Sequence, residues 1–143
     1  MSETTAPDRG LIDTSIVIAL DRVDPDSLPS EVGIAAITLA ELAAGPHATD
    51  DLAGRARRQE RLQRTEATFD AIPFDAGCAR AYGRVYAQTI AGGRTARGRR
   101  AIDLLIAATA LAVDLPLYSA NPDDFTGLED LIDLKPIKIP SQT

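Results

Sequence analysis

Apolar residues recur along the chain in short runs and helical stripes that alternate. Gly10 to Asp13 is a brief apolar segment ending in a potential helix cap, and Thr14 to Leu20 continues as an apolar helix. After the turn-rich stretch Asp24 to Ser30, residues Val32 to Ile37 form a second β-prone run. Thr38 to Glu41 then opens a helix that closes at Gly45-Pro46. Asp50 to Phe69 carries a long, polar, arginine-rich helical pattern. Ile72 to Phe74 reads as a short strand and Ala76 to Ile90 as another helix. A flexible loop from Gly92 to Gly98 feeds the most hydrophobic helix, Arg99 to Val113. Leu115 to Ser119 follows as a strand, then a turn at Asn121-Pro122, a short helical stretch and a last strand from Asp133 to Ile137. Strands alternating with helices predict an α/β fold with a parallel sheet between helices. No internal repeat or low-complexity tract interrupts this pattern, so one domain is expected over residues 9–137, with 1–8 and 138–143 as loose tails.

At 143 residues and 45% hydrophobic content, the chain can build one ordinary core. No stretch approaches the roughly 18 consecutive apolar residues of a membrane span, and the N-terminal residues lack the pattern of a signal peptide. A cytoplasmic protein with no membrane association is therefore expected. The single cysteine cannot form an internal disulfide, and one histidine with one cysteine cannot build a usual zinc site. Any bound metal should be a hard ion held by oxygen.

The net charge of -6 argues against nucleic-acid handling until the charges are placed. Residues 54–100 hold eleven arginines against four acids, whereas the remainder is strongly acidic. Such a chain can grip phosphate on one surface while concentrating carboxylates at another. For residues 55–64, a solvated helix face explains the arginines equally well.

In open parallel sheets the functional crevice lies beyond the carboxyl ends of the strands. Asp13 stands there for the first strand, although it is also a natural N-cap. Glu41 follows the second strand by one turn, although Thr38-x-x-Glu41 is also a capping-box pattern. Asn121 and Asp124 follow the strand ending at Ser119, in a sequence that is ordinary turn chemistry as well. Asp103 is different, because it interrupts a helix apolar on nearly every face, where a carboxylate is costly. Either Arg99 or Arg100 neutralises it in an ion pair one turn earlier, or it faces the crevice with Asp13 and Glu41. In the second case two carboxylates about 4 Å apart repel by about 4 kcal/mol at an effective dielectric of about 20, a conflict that a divalent cation resolves.

Four segments carry a resemblance: Leu11-Ile12-Asp13-Thr14-Ser15, Ala40-Glu41-Leu42-x-x-Gly45, Asp103-x-x-Ile106-Ala107 and Leu117-Tyr118-Ser119-x-Asn121-x-x-x-Phe125. In order and spacing they resemble the motifs of PIN-domain nucleases, most of all the VapC toxins of bacterial toxin–antitoxin pairs, over about residues 9–137. The resemblance implies a PIN-like three-layer α/β/α sandwich and a single-strand-directed endoribonuclease. Asp13, Glu41 and Asp103 would bind Mg2+ or Mn2+, with a fourth acid completing the set and with Ser15 and Ser119 as supporting hydroxyls. One position departs from the family: Asn121 stands where Asp is common, leaving Asp124 to supply the missing charge. Cleavage by a metal-activated water would leave a 5′-phosphate and a 3′-hydroxyl, since the sole histidine, His47, is expected in an exposed loop far from these motifs. Arg94, Arg97, Arg99 and Arg100 flank Asp103 and are expected to meet RNA phosphates. The implied partner is a VapB-like antitoxin that inserts a tail toward the acids, in toxin–antitoxin hetero-oligomers and homodimers.

Two other readings compete. A phosphotransfer or receiver domain needs an Asp-x-Asp-x-Thr nucleophile motif or an acidic pair with an essential lysine, and the only lysines are Lys135 and Lys138. A catalytically silent PIN scaffold that binds RNA or protein draws its support from Asn121.

Overall fold

A computed structural model describes residues 8–140. Strand β1 (Arg9–Ile12) leads directly into helix α1 (Thr14–Ile18), and β2 (Glu31–Ala35) into α2 (Ala36–Ala44). Helix α3 (Leu52–Thr68), β3 (Ala71–Ile72), α4 (Ala76–Ala91) and α5 (Arg99–Val113) follow, and β4 (Leu117–Ser119) and β5 (Leu134–Pro136) close the chain. The five strands form one sheet in the order β3-β2-β1-β4-β5, with every pairing parallel.

Strand residues alternate between faces, and the two faces bury different clusters. Leu11 and Ala35 pack with Val85 of α4 and Leu104, Ile106 and Ala107 of α5. Ile12 and Ile34 pack with Ile16, Val17 and Leu42 from α1 and α2, and with Leu62 of α3. Helices thus cover both faces of a buried parallel sheet, in the expected three layers. Gly10 permits the close packing of the central strands, because a Cβ there would run into the ring of Tyr118.

Several element boundaries differ from expectation for identifiable reasons. Helix α2 begins at Ala36, straight out of the strand, and no side chain caps it. Thr38 and Glu41 therefore do not form a capping box; both lie inside the helix, three residues apart on one side. The third strand is Ala71–Ile72, because Pro73 has no N–H with which to extend the ladder. The fourth begins only at Leu117, since the Leu115 N–H is used to close α5 on the Ala110 carbonyl and Pro116 has none to give.

Residues 1–7 and 141–143 of the expected tails lie outside the described residues. Within them, the Asp8 carbonyl accepts from the Glu31 N–H, and Ile139 packs against the α1–α2 side of the core. No helix among the described residues is long and apolar enough to cross a membrane.

Candidate active site

The order β3-β2-β1-β4-β5 reverses direction between β1 and β4, and in sheets of this kind the crevice opens at that point, beyond the strands' carboxyl ends. Asp13 is the first residue past β1. Its N–H donates to the Tyr118 carbonyl of β4, and its carboxylate Oδ1 accepts from the Ile16 N–H (3.2 Å) and the Ser15 hydroxyl (2.5 Å). Asp13 is therefore both the cap of α1 and an acid buried at the floor of the crevice, only 4% exposed. Ser15 also accepts from the Ala120 N–H, which ties α1 to the chain leaving β4. The fully buried Ser119 accepts from the Asn121 N–H and shapes the same turn.

Burial pushes the Asp13 carboxyl above the ordinary range. Hydrogen bonds from Ser119, Ser15 and Ile16 pull it back in part, and the charge of Asp124 adds to the rise. Asp103, half-buried near the start of α5, is driven further, to about 7. Desolvation is the first cause, followed by the like charges of Asp124 and Glu41 and then that of Asp13; Arg99 opposes them. Among the described residues Asp103 forms no salt bridge, so the alternative of a structural ion pair with Arg99 or Arg100 is not what the fold adopts. Arg99 acts on it from a distance, and Arg100 reaches instead toward the backbone carbonyl of Asp124 at 3.5 Å.

Four acids from four elements are thus brought within reach of one another's fields. Asn121 is exposed and heads the short turn Pro122–Phe125, whereas Asp124, half-buried within that turn, is the residue whose charge reaches both Asp13 and Asp103. Among the described residues no three acidic, histidine or cysteine side chains converge as a ready-made metal cage. Carboxylates that repel without a counter-charge stand apart, and the donor set, all oxygen and all acidic, suits a hard divalent ion that would draw them together.

Glu41 is held by residues that the sequence did not single out for this purpose. Its Oε1 accepts from the Thr14 hydroxyl at 2.5 Å, and Thr14 in turn lies 3.1 Å from the Thr38 hydroxyl. The only advance sign was spacing, since Thr38 and Glu41 are three residues apart on one helix and Thr14 adjoins Asp13.

The basic stretch divides into two groups. On α3, Arg55 donates to the Pro46 and Thr49 carbonyls and Arg58 to Gly45, while Arg57 and Arg64 face Asp51 and Glu60. These arginines fasten the turn after α2 or sit on a solvated face. Ahead of Asp103 in the chain, Arg97 and Arg99 are exposed, and Arg94 lies against Gly92 and Gly127, bracing the loop before α5. His47 is exposed in the turn after α2, as expected.

The raised acids fix how the metal-free protein should respond to pH. Asp103 binds its proton more tightly folded than unfolded, so the native state holds more protons between the unfolded value, about 4, and the folded value of about 7. Stability should consequently fall as pH rises through that window, and Asp13 contributes with the same sign. Melting of the protein in chelator at pH 5 and pH 8 checks this: the higher temperature is expected at pH 5, and the difference should shrink in Asp103→Asn.

Comparison with known proteins agrees with this fold. The PIN domain profile matches residues 11–130. Ribonuclease VapC5 of Mycobacterium tuberculosis is 32% identical over 139 residues, covering 95% of this chain and 99% of that protein. The crystal structure of VapBC-5, a VapBC toxin–antitoxin family member from Mycobacterium tuberculosis, superposes with a TM-score of 0.78 at 33% identity, over 93% of this chain and 100% of that one. In fold alone, VapBC2 of Rickettsia felis, solved with a DNA fragment from its promoter, aligns at a TM-score of 0.70 and 23% identity over 91% and 99% of the two chains. With its acids beyond the strand ends where the sheet order reverses, the PIN domain match over residues 11–130 and a relative 32% identical over 95% of the chain, this protein belongs to the PIN-domain family, among the VapC-type members.

Proposed function

We propose that the chain is the endoribonuclease toxin of a VapBC-type pair, using Mg2+ or Mn2+ held by Asp13, Glu41, Asp103 and Asp124 to hydrolyse RNA phosphodiesters and so arrest translation or growth. The observation that carries this reading is Asp103: a half-buried carboxylate without a salt bridge among the described residues, pushed to about 7 by burial and by three neighbouring acids. Holding it costs stability, and a bound divalent cation removes that cost. When bound, the ion supplies Lewis acidity toward water and toward the phosphate oxygens. The protein's part is to hold its donors in place: Ser15 and the α1 amide fix Asp13, Thr14 fixes Glu41, and the turn ending at buried Phe125 presents Asp124. A neighbouring carboxylate would orient the attacking water, and with the sole histidine, His47, exposed in the turn after α2, the expected product bears 5′-phosphate and 3′-hydroxyl.

The test is cleavage of single-stranded RNA by the purified protein. Activity should require Mg2+ or Mn2+ and vanish in excess EDTA, with 5′-phosphate ends on the products. Cleavage that persists in EDTA would remove the mechanism, and no cleavage with either metal would favour the silent binding scaffold.

Arg97 and Arg99, exposed in the loop before α5 and at its first residue, are proposed to meet RNA phosphates, while Arg94 braces the loop before α5 and Arg100 reaches the turn that carries Asp124. Replacing Arg97 and Arg99 by alanine should weaken RNA binding uniformly across sequences and lower the salt dependence by about one unit of slope per lost contact. An unchanged slope returns both to the solvated surface.

A VapB-like antitoxin is the proposed partner, as the related solved structures are toxin–antitoxin complexes. A groove of about 310 Å³, lined by Val17, Ile18, Leu20 and Phe69 together with Asp21, Arg61 and Arg64, offers such a chain a part-apolar seat with charges of both signs beside it. Homodimerisation of the toxin is part of the same proposal.

A further inference from the structure

The outward side of α4 carries aromatic rings beside a row of arginines. Tyr82 and Tyr86 stand one turn apart with ring centroids 6.0 Å from each other; Tyr82 is half-buried against the core, whereas Tyr86 is 45% exposed. Arg80 and Arg84, also one turn apart, are both exposed. By helical geometry Gly83 lies on the surface between the two rows, and a Cβ added there would meet nothing within 4 Å. Glycine in mid-helix lowers helix stability, and here no close packing within the chain requires it. From residue 76 to residue 102 the sequence has six arginines and not one acid, in a protein whose net charge is -6. None of the six forms a salt bridge among the described residues.

This face is joined to the turn that carries Asp124. Gln88, one turn beyond Arg84, donates to the Gly127 carbonyl, and Arg94 lies against Gly127 as well, three residues past Asp124. We infer that the outward face of α4 is a second RNA-binding stretch, on which unpaired nucleotides flanking the cleaved phosphodiester set their phosphates on Arg80 and Arg84 and stack a base on Tyr86. Single-stranded RNA fits the face because each nucleotide brings one negative charge and one flat ring, and stacking on an aromatic side chain asks for no particular sequence. Gly83 leaves room for the sugar–phosphate chain to cross the helix. The same face of a second copy would bring arginine to arginine, with no acid on this stretch to receive it. The inference rests on the proposed function, since the RNA is the substrate of that reading.

The test is fluorescence anisotropy of the full chain in EDTA with labelled single-stranded RNAs of about 4 and about 12 nucleotides, so that binding is read without cleavage. The parent should bind the longer RNA more tightly. Tyr86→Ala should weaken the longer complex by about fivefold or more, the low end for loss of a base–aromatic stack, and leave the shorter one unchanged. Tyr86→Phe keeps the ring and should match the parent. Gly83→Leu, placed in open space on a helix, should melt no lower than the parent and still weaken the longer complex. Arg80→Ala with Arg84→Ala should reduce the salt dependence of the longer complex alone. Equal binding of the two lengths, or parent-like affinity in Tyr86→Ala and Gly83→Leu, overturns the inference while Mg2+-dependent cleavage by the parent keeps the nuclease reading. Variants that turn a dimeric parent into a monomer and affect both lengths alike assign the face to a second copy and overturn it too. A parent that neither binds either RNA nor cleaves it with Mg2+ or Mn2+ overturns both.

Discussion

Asp103→Asn is expected to abolish RNA cleavage while leaving the metal-free protein at least as stable as its parent. The carboxylate sits half-buried among Asp124, Glu41 and Asp13 with no salt bridge among the described residues, and its proton affinity is raised to about 7. At neutral pH an amide of the same shape relieves both the desolvation and the repulsion, so the melting temperature in chelator should hold or rise. The same change removes one of the proposed ion ligands. Stabilisation by added Mg2+ should shrink or vanish, because that stabilisation reflects binding to the folded state alone. Cleavage should drop by more than about a hundredfold, beyond what is typical for a residue standing behind a ligand. A structural ion pair would behave in the opposite way, since removing one partner of a buried pair costs about 3–5 kcal/mol. A clear fall in metal-free stability, with the Mg2+ response and cleavage preserved, would end the catalytic assignment of Asp103.

The largest effect on stability should come from Phe125→Ala. Phe125 is 1% exposed and closes the turn Pro122–Phe125 by packing into the cluster shared with α4 and α5. Truncating a buried phenylalanine to alanine costs about 3–5 kcal/mol, as lost burial plus the cavity left behind. That is a large share of the roughly 5–15 kcal/mol that holds a domain of this size. Urea unfolding should show the midpoint moving down sharply. Because Asp124 immediately precedes Phe125, the loosened turn should also weaken Mg2+ binding while α1 and Asp13 remain in place. A loss below about 1 kcal/mol would mean that the turn is fixed by its backbone hydrogen bonds, not by the ring.

Much of the fold was legible because its signals are local. The apolar runs of β1 and β2, the stripe of α4 and the almost wholly apolar α5 each state their element within a few residues. Boundaries failed where a neighbour decided them. Helix α2 starts two residues before the Thr38 cap signal because Ala36 continues straight from the buried strand, and a capping preference worth about 1 kcal/mol yields to packing. Ile139, assigned to a tail, is held by the core surface that awaits it.

For the site, the sequence by itself named the candidates: a set of acids, each just beyond a strand or intruding on an apolar helix, and, for any metal, a hard type, since one histidine and one cysteine cannot build a usual zinc site. It left open whether Asp103 pairs with an arginine, whether Asn121 or Asp124 completes the acids, and what holds Glu41. Only the tertiary structure bears on these, showing that Asp103 forms no salt bridge among the described residues, that the charge of Asp124 acts on Asp103 and that Thr14 holds Glu41, because each depends on charges and hydroxyls more than twenty residues apart in the chain: Asp124 on Asp103, Thr14 on Glu41, Thr38 and Thr14 on each other. A residue's type and near neighbours set its local preferences, whereas its field and its hydrogen-bond partners come from whatever the sheet order brings alongside it. Here the reversal between β1 and β4 puts that company in one crevice.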